Sequence, residues 1–174
     1  MKAYSSDFTQ ETYSRPNFVH LLSHRVRKDW RINKVFDKQK KYALVDDGKL
    51  TTNLLKKLIG DVFAGHFNLQ LLKSTETAPS DYCLICSNCL DTYLAQRLNV
   101  FLEKKDFDVF TELSPLRTLT KKECEQLADI WQIIGEAIPE EDELIKHLHE
   151  KYDQTKQSML KSFLALEETV KSSE

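Results

Sequence analysis

Residues Tyr82–Ser87 form a short, almost continuous apolar run, Tyr-Cys-Leu-Ile-Cys-Ser. A run of this length suits a strand covered on both faces, as strands of parallel sheets are. A helical stretch follows over Asp91–Lys104, with Leu94, Leu98, Phe101 and Leu102 along one side. Phe107–Leu113 then alternates like a strand, and Thr120–Glu123 reads as a capping box opening another helix that buries Leu127, Ile130, Trp131 and Ile134. Strand, helix, strand, helix is the rhythm of a parallel sheet, so the sequence predicts an α/β fold: a small, mainly parallel sheet flanked by helices. Ligands of such sheets sit at the carboxyl ends of the strands, here Ser87-Asn88-Cys89 and Ser114–Arg117.

The rest of the chain fits around this unit. Asn17 can cap a helix carrying Phe18, Leu21, Leu22 and Val26, and Tyr42–Val45 reads as a strand closed by the turn Asp46-Asp47-Gly48. Thr52-Asn53 opens a helix with Leu54, Leu55, Leu58, Ile59, Val62 and Phe63 on one face, and residues 74–81 read as a loop. The acidic turn Pro139–Glu143 suits a helix N-terminus, and a long C-terminal helix runs through Leu144, Leu148, Tyr152, Met159, Phe163, Leu166 and Val170. At 174 residues the chain is expected to hold one domain with an appendage. The expected division is a basic N-terminal segment with one helix, 1–47, and an α/β domain with the C-terminal helix, 48–174.

Composition excludes several functions. The chain has 4 glycines, Gly48, Gly60, Gly65 and Gly135, and no two are close enough to cradle a phosphate. Walker, Rossmann and kinase-type loops, which need clustered glycines, are excluded. No apolar run approaches the roughly 18 residues of a membrane span, and the start is polar, so a cytoplasmic protein without membrane partners is expected. Residues 1–60 hold 13 Lys/Arg against 6 Asp/Glu, although the whole chain has a net charge of −2. Arg25, Arg27, Lys28, Arg31, Lys34 and Lys38 concentrate that charge and form the candidate RNA-binding set, with Trp30, Phe36 and Tyr42 interleaved as bases' stacking partners or as core.

Cys83, Cys86 and Cys89 are the candidate metal ligands. On a knuckle they could share a Zn²⁺, with Cys124, His66, His147 or His149 as the fourth ligand. On a strand, Cys83 and Cys86 point to opposite faces and cannot share an ion. Persulfide or redox chemistry at Cys86 or Cys89 is the third reading. His20 and His24 have metal-ligand spacing but no intervening Glu of the metalloprotease kind, and read as a solvated or packed pair. No Ser/His/Asp or Cys/His catalytic set stands out.

Ser114-Pro115-Leu116-Arg117-Thr118-Leu119-Thr120-Lys121-Lys122-Glu123 resembles the Arg-Pro-Leu-Arg…Lys-Glu-Val segment of PP-loop ATP pyrophosphatases. Asp91-Thr92-Tyr93-Leu94-Ala95-Gln96-Arg97 resembles the Thr-Arg-Leu-Ala stretch of one branch, the second subunits of cytoplasmic tRNA 2-thiolation complexes. Residues 142–170 are similar to the helix that follows the domain in that branch. The resemblance marks Asp91, Thr92, Pro115, Leu116, Arg117, Lys121 and Glu123 as family-motif positions, with Arg117 facing either a phosphate or a carboxylate such as Glu123. The chain departs from the family in three places. It has no Ser-Gly-Gly-x-Asp-Ser pyrophosphate loop, Ser87-Asn88 stands where active members have Gly-His-Asn, and Glu103-Lys104-Lys105 replaces Gly-Arg-Gly. The resemblance therefore implies an incomplete PP-loop fold without catalytic activity of its own. It implies a subunit that helps a catalytic thiolase partner 2-thiolate the wobble uridine of cytosolic tRNAs. From the residues alone, a zinc-binding interaction adaptor and a general RNA-binding module remain the alternatives, and no cofactor other than zinc is expected.

Overall fold

The computed structural model describes residues 3–9, 11–37, 39–64, 67–73, 79–103, 112–152 and 154–171. A two-stranded antiparallel hairpin, β1 (Tyr4–Ser5) and β2 (Thr12–Tyr13), leads into α1 (Arg15–Ile32). Helix α1 begins two residues before the predicted Asn17 cap, because Pro16 is pre-set for a first helical turn. Its buried stripe is Phe18, Leu22, Val26 and Trp30.

The sheet is built on β3 (Lys41–Val45), whose Tyr42, Ala43 and Leu44 are all buried. Parallel strands β4 (Leu69–Leu72) and β5 (Tyr82–Ile85) flank it in the order β4-β3-β5. Leu44 lies opposite Leu71 on one side and Ile85 on the other. Strand β4 escapes a sequence reading, since Leu-Gln-Leu-Leu has none of the β-branched or aromatic residues that mark strands. On its free side β5 meets Leu113 in a parallel bridge, with hydrogen bonds from Cys86 N to Leu113 O and from Leu113 N to Leu84 O. The rest of the predicted strand Phe107–Leu113 falls on residues 104–111, outside the described residues, apart from Glu112.

Helix α2 (Leu50–Phe63) carries the chain from β3 to β4 and buries Leu54, Leu55, Leu58 and Ile59. Helices α3 (Leu90–Leu102) and α4 (Lys121–Trp131) follow, and the predicted capping box is complete: Thr120 Oγ1 accepts from Glu123 N while Thr120 N donates to Glu123. The predicted long C-terminal helix is two helices, α5 (Glu143–Lys151) and α6 (Thr155–Lys171). Between them Tyr152 is extended and Gln154 is left-handed, with φ of 62°. Thr155 Oγ1 donates to the carbonyls of Leu148, which also accepts from Tyr152 N, and of Tyr152. An unbroken apolar spacing cannot reveal such a break.

Two apolar clusters result. The larger joins Phe18, Leu22, Val26 and Trp30 of α1 to Tyr42 and Leu44 of β3, Ile85 of β5, the α2 leucines and Leu127 of α4. Residues on both sides of position 47 contribute to it. The smaller joins Leu90, Tyr93 and Leu94 of α3 to Ile145 of α5 and Leu160 and Phe163 of α6.

The connection Ser114–Thr120 is buried along its whole length. Trp30 Nε1 donates to Pro115 O at 2.9 Å, and Arg117 pairs with Asp29 at 3.3 Å. At its end the fully buried Glu123 accepts from Ser6 Oγ at 2.7 Å, from Thr120 N and from Arg25. A buried carboxylate is tolerated only when paired and hydrogen-bonded in this way. Truncation in Glu123→Ala strands the Arg25 guanidinium and is expected to cost about 3 kcal/mol or more in urea denaturation. A loss within about 0.5 kcal/mol, typical of a surface position, would contradict this role.

Candidate functional site

The chain leaves β3 toward β4 on one side and returns as β5 on the other. The reversal opens a crevice at the carboxyl ends of β3 and β5, where open α/β sheets hold their ligands. A cavity of about 440 Å³ lies there, lined by Val45, Asp47, Lys49, Lys73, Glu112 and the segment Leu84–Asn88.

The chain's own polar groups bond one another beside this crevice. Asp47 Oδ1 accepts from Lys49 N at 3.2 Å and from Thr52 Oγ1 at 2.7 Å, and Lys49 Nζ pairs with Asp47 Oδ2 at 2.6 Å. Burial favours the neutral acid, but the bonds from Lys49 and Thr52 together outweigh it and hold Asp47 below the usual carboxylate range. A carboxylate therefore sits at the N-terminus of α2, where the helix dipole favours negative charge. Thr51 and Thr52 hydroxyls bond Ser87 Oγ at 3.2 and 2.8 Å, tying the start of α2 to the end of β5. From outside, the segment after α4 lies across the loop. Leu50 N donates to Glu136 O, Glu136 N donates to Gly48 O, and Asn53 Nδ2 donates to Ile134 O. Gly135 comes so close that a Cβ there would lie 2.5 Å from Leu50 N. Sequence reasoning missed this strap and the role of Asp47. The available signals were a Gly48-Lys49 pair between strand and helix, and a lone Gly135 between two helices.

The cysteines are not gathered. Cys83 lies on β5 and lines a separate cavity with Val35, Phe36 and Tyr42, while Cys86 lines the crevice. Strand alternation separates them, as the strand reading predicts. Cys86 Sγ contacts Ser114 Oγ at 2.9 Å, and burial pushes its thiol up despite that bond. Cys89 stands at the N-cap of α3 beside the buried Cys124. A hydrogen bond from Cys124 lowers Cys89 against the effect of burial, and the same bond together with burial raises Cys124 well above an ordinary thiol. Among the described residues no group of three His, Cys, Asp or Glu side chains is placed to hold a metal, and Cys83, Cys86 and Cys89 are not brought together around one ion. His66 falls outside the described residues.

The family-motif residues hold the fold together. Arg117 meets a carboxylate, that of Asp29 rather than Glu123. Asp91 is buried, accepts from Lys121 N and pairs with Lys156 of α6 at 2.6 Å. Burial disfavours the Lys156 ammonium, but Asp91 and Glu141 outweigh it and raise its pKa. Thr92 Oγ1 contacts Cys89 Sγ at 3.6 Å, Lys121 Nζ reaches Glu140, and Pro115 and Leu116 are buried.

The basic segment divides. Arg25 is half-buried, paired with Glu123 and stacked on Phe8 at 4.0 Å. Arg27, Lys28, Arg31 and Lys34 are exposed on and just after α1, and Lys38 falls outside the described residues. Trp30, Phe36 and Tyr42 are core: Phe36 meets Trp30 edge-on at 4.8 Å and Tyr42 at 5.2 Å. They are not available to stack on bases.

No protein-family model and no curated protein sequence matches the chain. Its structure is similar to that of the U34-tRNA thiolase NcsA from Methanococcus maripaludis, solved with its [4Fe-4S] cluster. The TM-score is 0.69 at 13% identity, over 94% of this chain and 83% of that one. At this identity the likeness concerns the fold alone. Iron–sulfur clusters are held by cysteine thiolates. The described cysteines here are not placed to do so. No helix among the described residues is long and apolar enough to cross a membrane.

Two outcomes follow from the closed crevice. Gly135→Ala forces a Cβ into the Leu50 backbone and is expected to lower stability by about 1–3 kcal/mol, read from the denaturation midpoint. Titration calorimetry with Mg-ATP at millimolar concentration is expected to show no binding heat. Saturable heat would mean that the strap and Asp47 yield to phosphate.

Proposed function

We propose that the chain is a non-catalytic subunit assisting 2-thiolation of the wobble uridine in tRNAs, in the cytoplasm, bound to a catalytic thiolase partner. What supports this reading is a fold like that of a U34-tRNA thiolase, together with a turn from β3 into α2 that is bonded to the chain's own Asp47 and Glu136. We read the turn Asp46-Asp47-Gly48-Lys49, which leads from β3 into α2, as standing where the resembling family has its Ser-Gly-Gly-x-Asp-Ser loop. One glycine is kept, Gly48, with a left-handed φ of 76°. An acidic side chain replaces the other, so the loop carries its own anion instead of backbone donors open to phosphate. Adenylation then falls to the partner, and this subunit contributes binding.

The tRNA contact is assigned to Arg27, Lys28, Arg31 and Lys34, whose charges face solvent. Arg25 is excluded from that role by Glu123. Deletion of the gene should lower 2-thiouridine in tRNA hydrolysates, and affinity purification should recover a thiolase. Normal 2-thiouridine in the deletion strain contradicts the proposal. Reversal of charge in Arg27→Glu, Lys28→Glu, Arg31→Glu should weaken tRNA binding roughly tenfold or more at moderate salt and flatten its salt dependence.

A further inference from the structure

The exposed cations of α1 border a groove that none of the preceding roles uses. It lies between α1 and the end of α4 and encloses about 540 Å³, within the range of sites that hold small ligands. Val19, Ile130 and Trp131 supply its apolar lining, and Arg15, His24 and Arg27 its polar side. Arg15 Nη2 donates to Ile130 O at 2.6 Å, which fixes the start of α1 to the end of α4 and so sets the groove's width. No Asp or Glu is among the described residues that line it.

Along α1, His20, His24, Arg27 and Arg31 recur at helical spacing on one exposed stripe. The His20 and His24 rings stack with their centroids 6.3 Å apart. Successive members of the stripe are displaced by about 4.5–6 Å along the axis, close to the spacing of phosphates along a nucleic-acid strand. Trp131 is only half-buried, at the edge of the core, and Lys57 approaches its ring at 5.6 Å. Cations along one side and a flat indole in the wall match the two parts of a nucleotide, phosphate and base.

We infer that this groove holds one unpaired nucleotide of a single-stranded RNA segment, its base against Trp131 and its flanking phosphates along His24, Arg27 and Arg31. The inference rests on the RNA-binding part of the proposed function and adds the place where a base is received. An acidic peptide would satisfy the cations but offers the indole no ring to stack on.

The test uses the full chain and a labelled single-stranded oligouridylate. Trp30 is buried with its Nε1 bonded to Pro115 O, so quenching of tryptophan fluorescence reports on Trp131. Wild type should bind with quenching. Trp131→Ala should weaken binding roughly tenfold. His24→Glu, at an exposed position that leaves the core intact, should weaken it several-fold, and Lys161→Glu on α6 should not, although it changes net charge by more. If Arg27→Glu, Arg31→Glu abolishes binding while Trp131→Ala and the fluorescence change nothing, the groove is overturned and the RNA-binding reading stands. Absence of binding by wild type overturns both. Displacement of the RNA by an equal charge of polyglutamate, or by duplex RNA at equal concentration, overturns the unpaired-base site.

Discussion

The buried connection from Ser114 to Thr120, with the buried Glu123 of the helical turn that follows, is the constraint on which the rest of the architecture depends. It leaves the sheet beside β5, passes under α1 and ends in the cap of α4. Its two charged anchors, Arg117 and Glu123, are each matched from α1, by Asp29 and Arg25. A buried ion pair adds little net stability compared with an apolar replacement, yet breaking one side is costly. The pairs therefore fix the register of α1 against α4 more than they strengthen the fold. With α1 fixed, its apolar stripe closes the larger core and its opposite face is turned to water.

The same economy governs the crevice between β3 and β5. A helix N-terminus, a turn and a strand end meet at this crevice. Here those groups bind each other. Asp47 takes the donors at the start of α2, the two threonines take Ser87, and Glu136 takes the Leu50 N–H. Each bond is modest on its own, at about 1 kcal/mol. Collectively they tie the start of α2 to the end of β5 and to the segment after α4.

Much of this was legible in the sequence, for identifiable reasons. The run Tyr82–Ile85, the capping box at Thr120 and the leucine face of α2 are local signals, and each element appears within a few residues of its predicted place. Strand β4 was not legible, because its leucines carry no strand preference and only pairing with β3 decides it. The break between α5 and α6 was hidden because apolar spacing continues across it. At the site, alternation along β5 already forbade Cys83 and Cys86 from sharing an ion. The partnership of Cys89 with Cys124 and the strap at Gly135 join residues distant in sequence, and no local pattern encodes them.

The basic segment shows why charge counted along a sequence misleads when taken whole. Arg25 and Arg27 are two residues apart, so on a helix they point about 200° from each other. That rotation sends Arg25 to Glu123 and Phe8, while Arg27 stays in water at the mouth of the α1–α4 groove. The aromatic residues divide in the same manner. Trp30, Phe36 and Tyr42, interleaved with the cations in sequence, are consumed by the core. The aromatic residue left beside the exposed cations is Trp131, about a hundred positions away and brought there by α4. A basic stretch becomes a recognition surface only through what the fold sets against it, and here α4 provides the indole that the stretch itself cannot spare.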